Sequence, residues 1–407
     1  MNKWLLFLAL ILSIMAALAT EEPSFLLGIE QFSPAMLERM VGNRNARVGL
    51  ITNQSGKDQQ GNRSIDLLIK KGIHITLLFA PEHGINGAIS AGKKVENALD
   101  SATKLPIISL YTLHKNQDLS YTDNIDVLVF DIQDVGMRHY TYIATLLSAL
   151  KVAAHQKIPF IVLDRPNPLG IIMEGPLPSL TNSFLASVPV PVRHAMTVGE
   201  IARYCNAHVI NKPATLHVVK ISNYQRNEEL KKLIAPLSPN VQYIKACHGY
   251  SFLGLLGEIQ PFDVGIGTQN AFQIIGLPHS FINKNQTKKL ITLLQKSGIQ
   301  SCPIEYNNAR KNKKYRGIKI THVPINSFSA CNTFLSILKF FKEEGVSLIF
   351  SKYFDAAAGN SALRGYIQGI CTFEELRENI NADLKTFYTK AQSAFIYEPK
   401  PKMVFIE

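Results

Sequence analysis

The sequence IDVLVFDIQDVGMR, residues 125–138, joins an apolar run to a polar loop. Residues 125–130 are mostly apolar, which is typical of a strand buried on both faces of a sheet. Polar residues appear in 131–138, and an amphipathic run at 142–155 then predicts a helix. The stretch therefore predicts a strand followed by a helix, which is the unit from which parallel sheets are built.

The same unit recurs along the first half of the chain. Further strands are predicted at 47–51, 73–79, 106–110 and 159–163, and further helices at 65–71 and 197–208. Thr197 is expected to cap the last of these helices. The alternation predicts an α/β fold, a Rossmann-like parallel sheet covered by helices on both faces.

The second half of the chain has a less regular pattern. A strand is predicted at 318–323 and helices at 330–343 and 372–394, which indicates a smaller α+β domain. A charged segment ending in PLSPN, residues 236–240, suggests the boundary. The predicted domains are a Rossmann-like domain at 20–235 and a smaller C-terminal domain at 236–407.

Residues 1–19 have the features of a secretory signal peptide. A short basic start precedes an apolar run at 4–18, and Ala17-Leu18-Ala19 places small residues where a signal peptidase cleaves. The run is shorter than the roughly 20 residues that span a bilayer, although an uncleaved N-terminal anchor is the alternative. We expect an exported protein, periplasmic or secreted, with no stable membrane insertion after cleavage.

Composition and short motifs exclude several classes of protein. The net charge of +12 favours an anionic partner, but the sequence has no zinc finger and no aromatic-plus-basic motif, and the basic cluster at 310–316 resembles a solvated loop. We therefore expect no nucleic-acid partner. Without a Walker loop, a GxGxxG motif or metal-ligand spacing, neither a cofactor nor a metal is expected. A nicotinamide-dependent oxidoreductase is a weaker alternative. The five widely spaced cysteines do not indicate a disulfide framework, and at most one disulfide bridge is expected.

Polar clusters follow the ends of four predicted strands, at 52–56, 81–84, 131–138 and 164–170. Because ligands bind beyond the carboxyl ends of the strands in open α/β sheets, these clusters predict a site along one edge. Glu82, shielded by apolar neighbours, can serve there as a proton donor. The alternative for Glu82 is an exposed loop carboxylate.

Two arginines and a tyrosine near this edge have alternative interpretations. Arg138 and Arg165 can bind a carboxylate through paired hydrogen bonds, or can form ion pairs with Asp134 or Asp164. Tyr142 can stack on the face of a sugar, or be the first core residue of its helix. The residue types alone leave both alternatives open.

Five runs, in one order, resemble those of the exo-β-N-acetylmuramidases, a family of glycoside hydrolases. They are FAPEHG (79–84), FDIQDVG (130–136), LDRPNPLG (163–170), EGP (174–176) and PVRH (191–194). The resemblance implies that the Rossmann-like domain at 20–235 is catalytic and that the C-terminal domain at 236–407 is auxiliary. It also implies release of N-acetylmuramic acid from the non-reducing end of peptidoglycan-derived muramyl saccharides, with Glu82 as the catalytic glutamate. The candidate catalytic residues are Glu82, His83 and Asp134, and the candidate substrate-binding residues are Asn53, Gln133, Arg138, Tyr142, Asp164, Arg165, Asn167, Arg193, His194 and Glu258.

The second half departs from the usual motifs of that family. Glu258 aligns with a family glutamate, but Val264 and Ile266 replace Glu and Arg, and Asn86 stands where Arg is common. These differences favour the alternative of a non-catalytic muropeptide or cell-wall sugar-binding protein on the same scaffold. For a hydrolase, the second catalytic group is the acetamido group of the substrate or one of three carboxylates, Asp134, Asp164 and Glu258.

Overall fold

A seven-stranded sheet forms the centre of the first half. The computed structural model describes residues 25–89, 96–110, 120–180, 183–308 and 311–407, so the predicted signal peptide at 1–19 lies outside the described residues. The strands of this half are β1 (Val48–Thr52), β2 (Ile75–Ala80), β3 (Ala98–Leu99), β4 (Pro106–Ser109), β5 (Val127–Asp131), β6 (Phe160–Leu163), β7 (Ile172–Met173) and β8 (Leu216–Val219). The order in the sheet is β3-β4-β2-β1-β5-β6-β8, and only the edge strand β3 is antiparallel. The predicted Rossmann-like α/β class is confirmed.

The register of the strands brings the polar loops to one edge of the sheet. β1 pairs in parallel with β5, so that Thr52 lies opposite Asp131. On the other side of β1, Phe79 of β2 lies opposite Ile51. β6 pairs in parallel with β5. The loops that follow these four strands therefore start from neighbouring positions, as a site at the carboxyl edge requires.

Helices flank this sheet and connect its strands. They are α1 (Gly28–Gln31), α2 (Pro34–Val41), α3 (Ser64–Lys70), α4 (Tyr142–Gln156), α5 (Val198–His208) and α6 (Ile244–Leu256). The N-terminus of α5 is capped as predicted: the Thr197 hydroxyl accepts a hydrogen bond from Glu200 N–H, and the Glu200 carboxylate accepts one from Thr197 N–H. Most predicted strands and helices of this half lie within one or two residues of their observed bounds.

The second half contains a three-stranded antiparallel sheet with helices. Its elements are β9 (Ile259–Gln260), β10 (Ile274–Pro278), α7 (Lys284–Lys296), β11 (Gln300–Asn308), β12 (Lys313–His322), α8 (Ala330–Glu343), β13 (Ile349–Phe350), α9 (Phe354–Ala358), α10 (Ala362–Gln368), α11 (Phe373–Ala391) and β14 (Lys402–Met403). The sheet order is β10-β12-β11. The solvated loop expected at 310–316 is wrong from Lys313 onward, because buried Tyr315 pairs with both neighbouring strands.

The C-terminal tail returns to the first half. β14 pairs in parallel with β7, with Lys402 opposite Ile172. The Tyr397 hydroxyl donates a hydrogen bond of 2.6 Å to Asp164 Oδ2. Buried apolar residues of both halves form one continuous cluster. The proposed division at residue 235 stays a prediction.

The five cysteines are unpaired, with Cys205 and Cys247 buried and Cys302 exposed. Burial raises the pKa of the Cys247 thiol, so this side chain behaves as a small apolar residue. Within the described ranges, no helix combines the length and apolarity needed to cross a bilayer.

Candidate active site

Glu82 follows β2 directly at the carboxyl edge of the sheet. Its side chain is 7% exposed, and Oε2 accepts a hydrogen bond of 2.7 Å from the Thr141 hydroxyl at the start of α4. The next residue, His83, adopts a left-handed backbone with φ of 70°, and its Nδ1 lies 2.6 Å from the Ile89 carbonyl oxygen. The tight turn at His83 and Gly84 therefore fixes Glu82 on the rim.

Asp134 lies in the loop after β5 and is held on one side only. Its Oδ2 accepts a hydrogen bond of 2.6 Å from Gly136 N–H and lies 3.4 Å from His194 Nε2. The other ring nitrogen of His194, Nδ1, accepts a hydrogen bond from Met196 N–H at 3.2 Å. The buried Oδ1 of Asp134 has no hydrogen-bond partner in the described part of the chain.

Tyr250 of α6 joins the two halves at this rim. Burial raises the pKa of its phenol, and the neighbouring carboxylates Asp134, Glu82 and Glu258 raise it further, in that order. Three carboxylates predicted from sequence therefore act electrostatically on the same phenol. Sequence reasoning missed Tyr250, because the helix at 244–256 was not predicted and its buried positions show no clear amphipathic period.

Glu258 comes from the segment that follows α6. Ser351 donates hydrogen bonds to it twice, from its hydroxyl to Oε2 and from its N–H to the carbonyl oxygen at 2.8 Å. The side chain is half-buried. Ser351 therefore occupies one of the two carboxylate oxygens of Glu258.

Arg165 forms a fully buried ion pair in the loop after β6. Its Nε and Nη2 donate to the two oxygens of Asp131 at 2.6 and 2.8 Å. Ser64 also donates its hydroxyl to Asp131. The predicted partners, Asp134 or Asp164, are wrong for Arg165, because the register of β1, β5 and β6 places Asp131 in between.

Both carboxylate oxygens of Asp164, the residue before Arg165, accept hydrogen bonds from the protein. Oδ2 accepts from the hydroxyls of Thr197 and Tyr397 at 2.8 and 2.6 Å, and Oδ1 accepts from Gly199 N–H and Arg165 N–H. Burial raises the pKa of this carboxyl to about 6, against the lowering effect of its donors. Asp164 therefore anchors α5 and the C-terminal tail.

Arg138 contacts backbone carbonyls and pairs with neither predicted aspartate. Nη1 donates to Pro176 O and Val190 O at 2.7 and 2.9 Å, and Nη2 donates to Ala358 O. Burial lowers the pKa of this guanidinium to about 9. Tyr142 is 1% exposed and its hydroxyl donates to Leu237 O at 2.8 Å, which supports the core alternative for this residue.

The remaining predicted residues build the turns of the rim. Arg193 is buried and pairs with Glu174 at 2.9 Å. Gln133 Nε2 donates to Asp134 O and Pro166 O. Asn167 donates to Met196 O. Asn53 Oδ1 accepts from the N–H and hydroxyl of Ser55 at 2.9 and 2.6 Å. These contacts are internal, and the substrate-binding roles of these residues stay predictions.

Two of the three residues that depart from the family motifs pack in the core, and the third is exposed. Val264 is buried. Gly265 adopts φ of 77° in a turn, and the N–H of Gly265 donates to the Asp263 carboxylate. Ile266 packs against the same core, whereas Asn86 is exposed. No group of three or more His, Cys, Asp or Glu side chains suited to a metal ion occurs among the described residues.

Taken together, the mostly parallel sheet and the carboxylates at its carboxyl edge define an α/β protein with a polar rim. The family described as exo-beta-N-acetylmuramidase NamZ matches in two parts, the N-terminal part at residues 48–245 and the C-terminal part at 248–397. This chain belongs to that family of glycoside hydrolases, and the resemblance noted in the sequence is confirmed.

Individual relatives agree with this assignment. A peptidoglycan beta-N-acetylmuramidase of Bacillus subtilis is 32% identical over 390 residues, covering 93% of this chain and 92% of the relative. A crystal structure of a DUF1343 family protein from Bacteroides fragilis has a TM-score of 0.78 and 28% identity, covering 92% of this chain and 99% of that chain. A second B. fragilis structure, with a TM-score of 0.72 and 23% identity, shows the same fold.

Proposed function

We propose that this protein is an exo-acting glycoside hydrolase that releases N-acetylmuramic acid from the non-reducing end of peptidoglycan fragments. The observation that carries this function is the position of Glu82 and Asp134, which lie in the loops after β2 and β5 at the carboxyl edge of the sheet. A glycosidase needs a proton donor and a second group on opposite sides of the scissile bond. The rim supplies carboxylates from different loops, as that chemistry requires.

Glu82 is the proton donor in this proposal. It is buried enough to be shielded from bulk water, and Thr141 orients Oε2. Of the three candidates for the second carboxylate, Asp164 has both oxygens occupied and Glu258 is bound by Ser351. Of these three, Asp134 is the one whose buried oxygen, Oδ1, has no partner among the described residues, so we assign the second role to Asp134.

The test is hydrolysis of a chromogenic β-N-acetylmuramide and of a disaccharide with muramic acid at its non-reducing end. Glu82→Gln should lower the rate by about 10²–10⁴-fold, because a positioned general acid contributes that much. Glu343→Gln is the matched control, since its side chain is 65% exposed. Near-normal activity of Glu82→Gln would refute this role. Binding of the disaccharide without release by the natural protein would favour the sugar-binding alternative.

We propose further that residues 1–19 direct export and are removed after Ala19. The proposal rests on the basic start, the apolar run at 4–18 and the small residues before the cleavage point. Peptidoglycan lies outside the cytoplasmic membrane, where an exported enzyme meets its substrate. N-terminal sequencing of the protein from the periplasmic or secreted fraction should begin at Thr20, and a membrane-bound protein that retains Met1 would contradict the proposal.

A further inference from the structure

Ser55 connects the loop after β1 to the loop after β5. Its hydroxyl oxygen accepts a hydrogen bond of 3.0 Å from Gln133 N–H, and the hydroxyl donates to Asn53 Oδ1 at 2.6 Å. Ser55 is buried, with 2% of its surface exposed. Because a serine hydroxyl has one proton, which is directed at Asn53, its oxygen serves as the acceptor for Gln133. Ser55 therefore holds the main chain immediately before Asp134.

The side chain of Gln133 holds the same segment at a second point. Its Nε2 donates to the carbonyl oxygen of Asp134 at 2.9 Å and to the carbonyl oxygen of Pro166, in the loop after β6, at 2.7 Å. An amide nitrogen has two protons, and these two buried acceptors match them. The N–H of Gln133 and the carbonyl group of Asp134 are thus both fixed, and the loops after β1, β5 and β6 are tied together.

Asp134 lies in a segment, residues 132–136, that belongs to neither a helix nor a strand. Buried main-chain groups outside helices and sheets need other hydrogen-bond partners, and here side chains supply them. The Asp134 carboxylate is held in addition by Gly136 N–H, which donates to Oδ2 at 2.6 Å. The position of this carboxylate therefore depends on Ser55 and Gln133 as well as on its own turn.

We propose that Gln133 and Ser55 are positioning residues for Asp134, which act on the reaction through the main chain of that residue and do not contact the sugar. This inference rests on the proposed function, in which Asp134 is the second catalytic group. Gln133 then has a positioning role instead of the substrate-binding role predicted from the sequence, because two carbonyl oxygens already occupy its Nε2. A displacement of about 1 Å in a catalytic group lowers a rate by up to about 10²-fold.

The first test is Gln133→Met, which removes the amide donors and keeps the length of the side chain. With the chromogenic β-N-acetylmuramide we expect kcat per folded molecule to fall by about 10–10²-fold, while KM changes by less than about threefold. Loss of a substrate-binding residue would instead raise KM with kcat unchanged. Loss of a residue that only stabilises the fold would lower the folded fraction and leave kcat per folded molecule unchanged. Either of these results would overturn the positioning role.

Gln59→Met is the matched control. The Nε2 of Gln59 also donates two hydrogen bonds, to Phe25 O at 2.7 Å and to Glu30 Oε2 at 3.0 Å, but these connect it to α1 and the residues before it. Its kcat should stay within about threefold of the natural value. Ser55→Ala is a smaller change that tests the same network if Gln133→Met does not fold. It removes the acceptor for Gln133 N–H, and we expect kcat to fall by about tenfold. An unchanged kcat would overturn the role of Ser55.

The second test asks whether Gln133 acts through Asp134. In the Asp134→Asn background, Gln133→Met should lower kcat by less than about threefold, because the group that it positions is already lost, whereas independent residues would give multiplied losses. A larger further loss would overturn the inference. If Asp134→Asn alone keeps the natural rate, or the natural protein releases no sugar, the proposed function fails and this inference fails with it. Loss of activity in Asp134→Asn with a natural kcat in Gln133→Met would overturn this inference alone.

Discussion

The loops after β5 and β6 contain similar polar residues but use them in opposite ways. In the loop after β6, every oxygen of Asp164 accepts at least two hydrogen bonds, and Arg165 is paired with Asp131. In the loop after β5, Asp134 is held through Oδ2, and its Oδ1 has no partner in the parts of the chain that the structure describes. Burial alone therefore does not separate a catalytic carboxylate from a structural one, whereas the number of its donors does.

The physical reason lies in the free energy of buried charges. A carboxylate removed from water is stable only when donors replace its hydration, and a group whose oxygens are all occupied cannot bind a substrate without losing those contacts. An oxygen left open is unfavourable for folding and favourable for binding. The loop after β6 therefore stabilises the fold, whereas the loop after β5 serves the chemistry. Mutations in the two loops should have different effects.

The largest expected effect is on the stability of the loop after β6. Arg165→Met removes one partner of the fully buried pair with Asp131 and should lower the free energy of unfolding by about 3–5 kcal/mol, because Asp131 is left as an uncompensated charge. Urea unfolding monitored by circular dichroism measures this change.

The matched control for this variant is Arg364→Met. The Arg364–Asp355 pair is near the surface, with side chains 40% and 24% exposed, and its loss should lower the free energy of unfolding by no more than about 1 kcal/mol. Equal decreases in the free energy of unfolding for the two variants would show that the Arg165–Asp131 pair stabilises the fold no more than a surface pair does.

A second, smaller effect concerns pH. Burial raises the pKa of Asp164 from its ordinary value of 3.8 to about 6, so folding favours the protonated form. Its contribution to stability is complete below about pH 4 and is lost as the pH rises through 6, a change of about 3 kcal/mol. The difference in unfolding free energy between the natural protein and Asp164→Asn should decrease by this amount from pH 4 to 7. A constant difference would contradict the assignment.

The smallest effect concerns the orientation of Glu82. Thr141→Val removes the hydroxyl that donates to Oε2 and keeps the shape of the side chain. The loss of one hydrogen bond to a charged group is worth about 1.5 kcal/mol, or roughly a tenfold decrease in kcat/KM, with little change in stability. Thr386→Val, on the exposed face of α11, is the control. An unchanged kcat/KM for Thr141→Val would mean that Thr141 does not position the acid.

Much of the fold could be predicted from the sequence. Apolar runs such as 125–130 and 159–163 show the period of buried strands, and Thr197 with Glu200 forms a recognisable helix cap. Several elements were missed, among them β8, α6, α7, β10 and β11. β8 (Leu216–Val219) is short, and α6 is apolar on most faces, so neither has a distinctive period.

The site was only partly predictable, for a physical reason. Sequence places Glu82, Asp134, Asp164 and Arg165 on one rim, but not the donors that each one finds. Those donors come from distant segments: Tyr397 reaches Asp164 across 233 positions, and Arg165 reaches Asp131 across 34. Only the folded chain shows which carboxylate remains open.

The most direct measurement is the rate of N-acetylmuramic acid release per folded molecule for Glu82→Gln, Asp134→Asn and Asp164→Asn. The folded fraction is taken from circular dichroism at a temperature where all three variants are native. We predict that Glu82→Gln and Asp134→Asn remain folded and lose at least about 100-fold in kcat/KM, while Asp164→Asn stays within about threefold of the natural rate. A folded Asp164→Asn that loses as much activity as Glu82→Gln would contradict the division between open and occupied carboxylates.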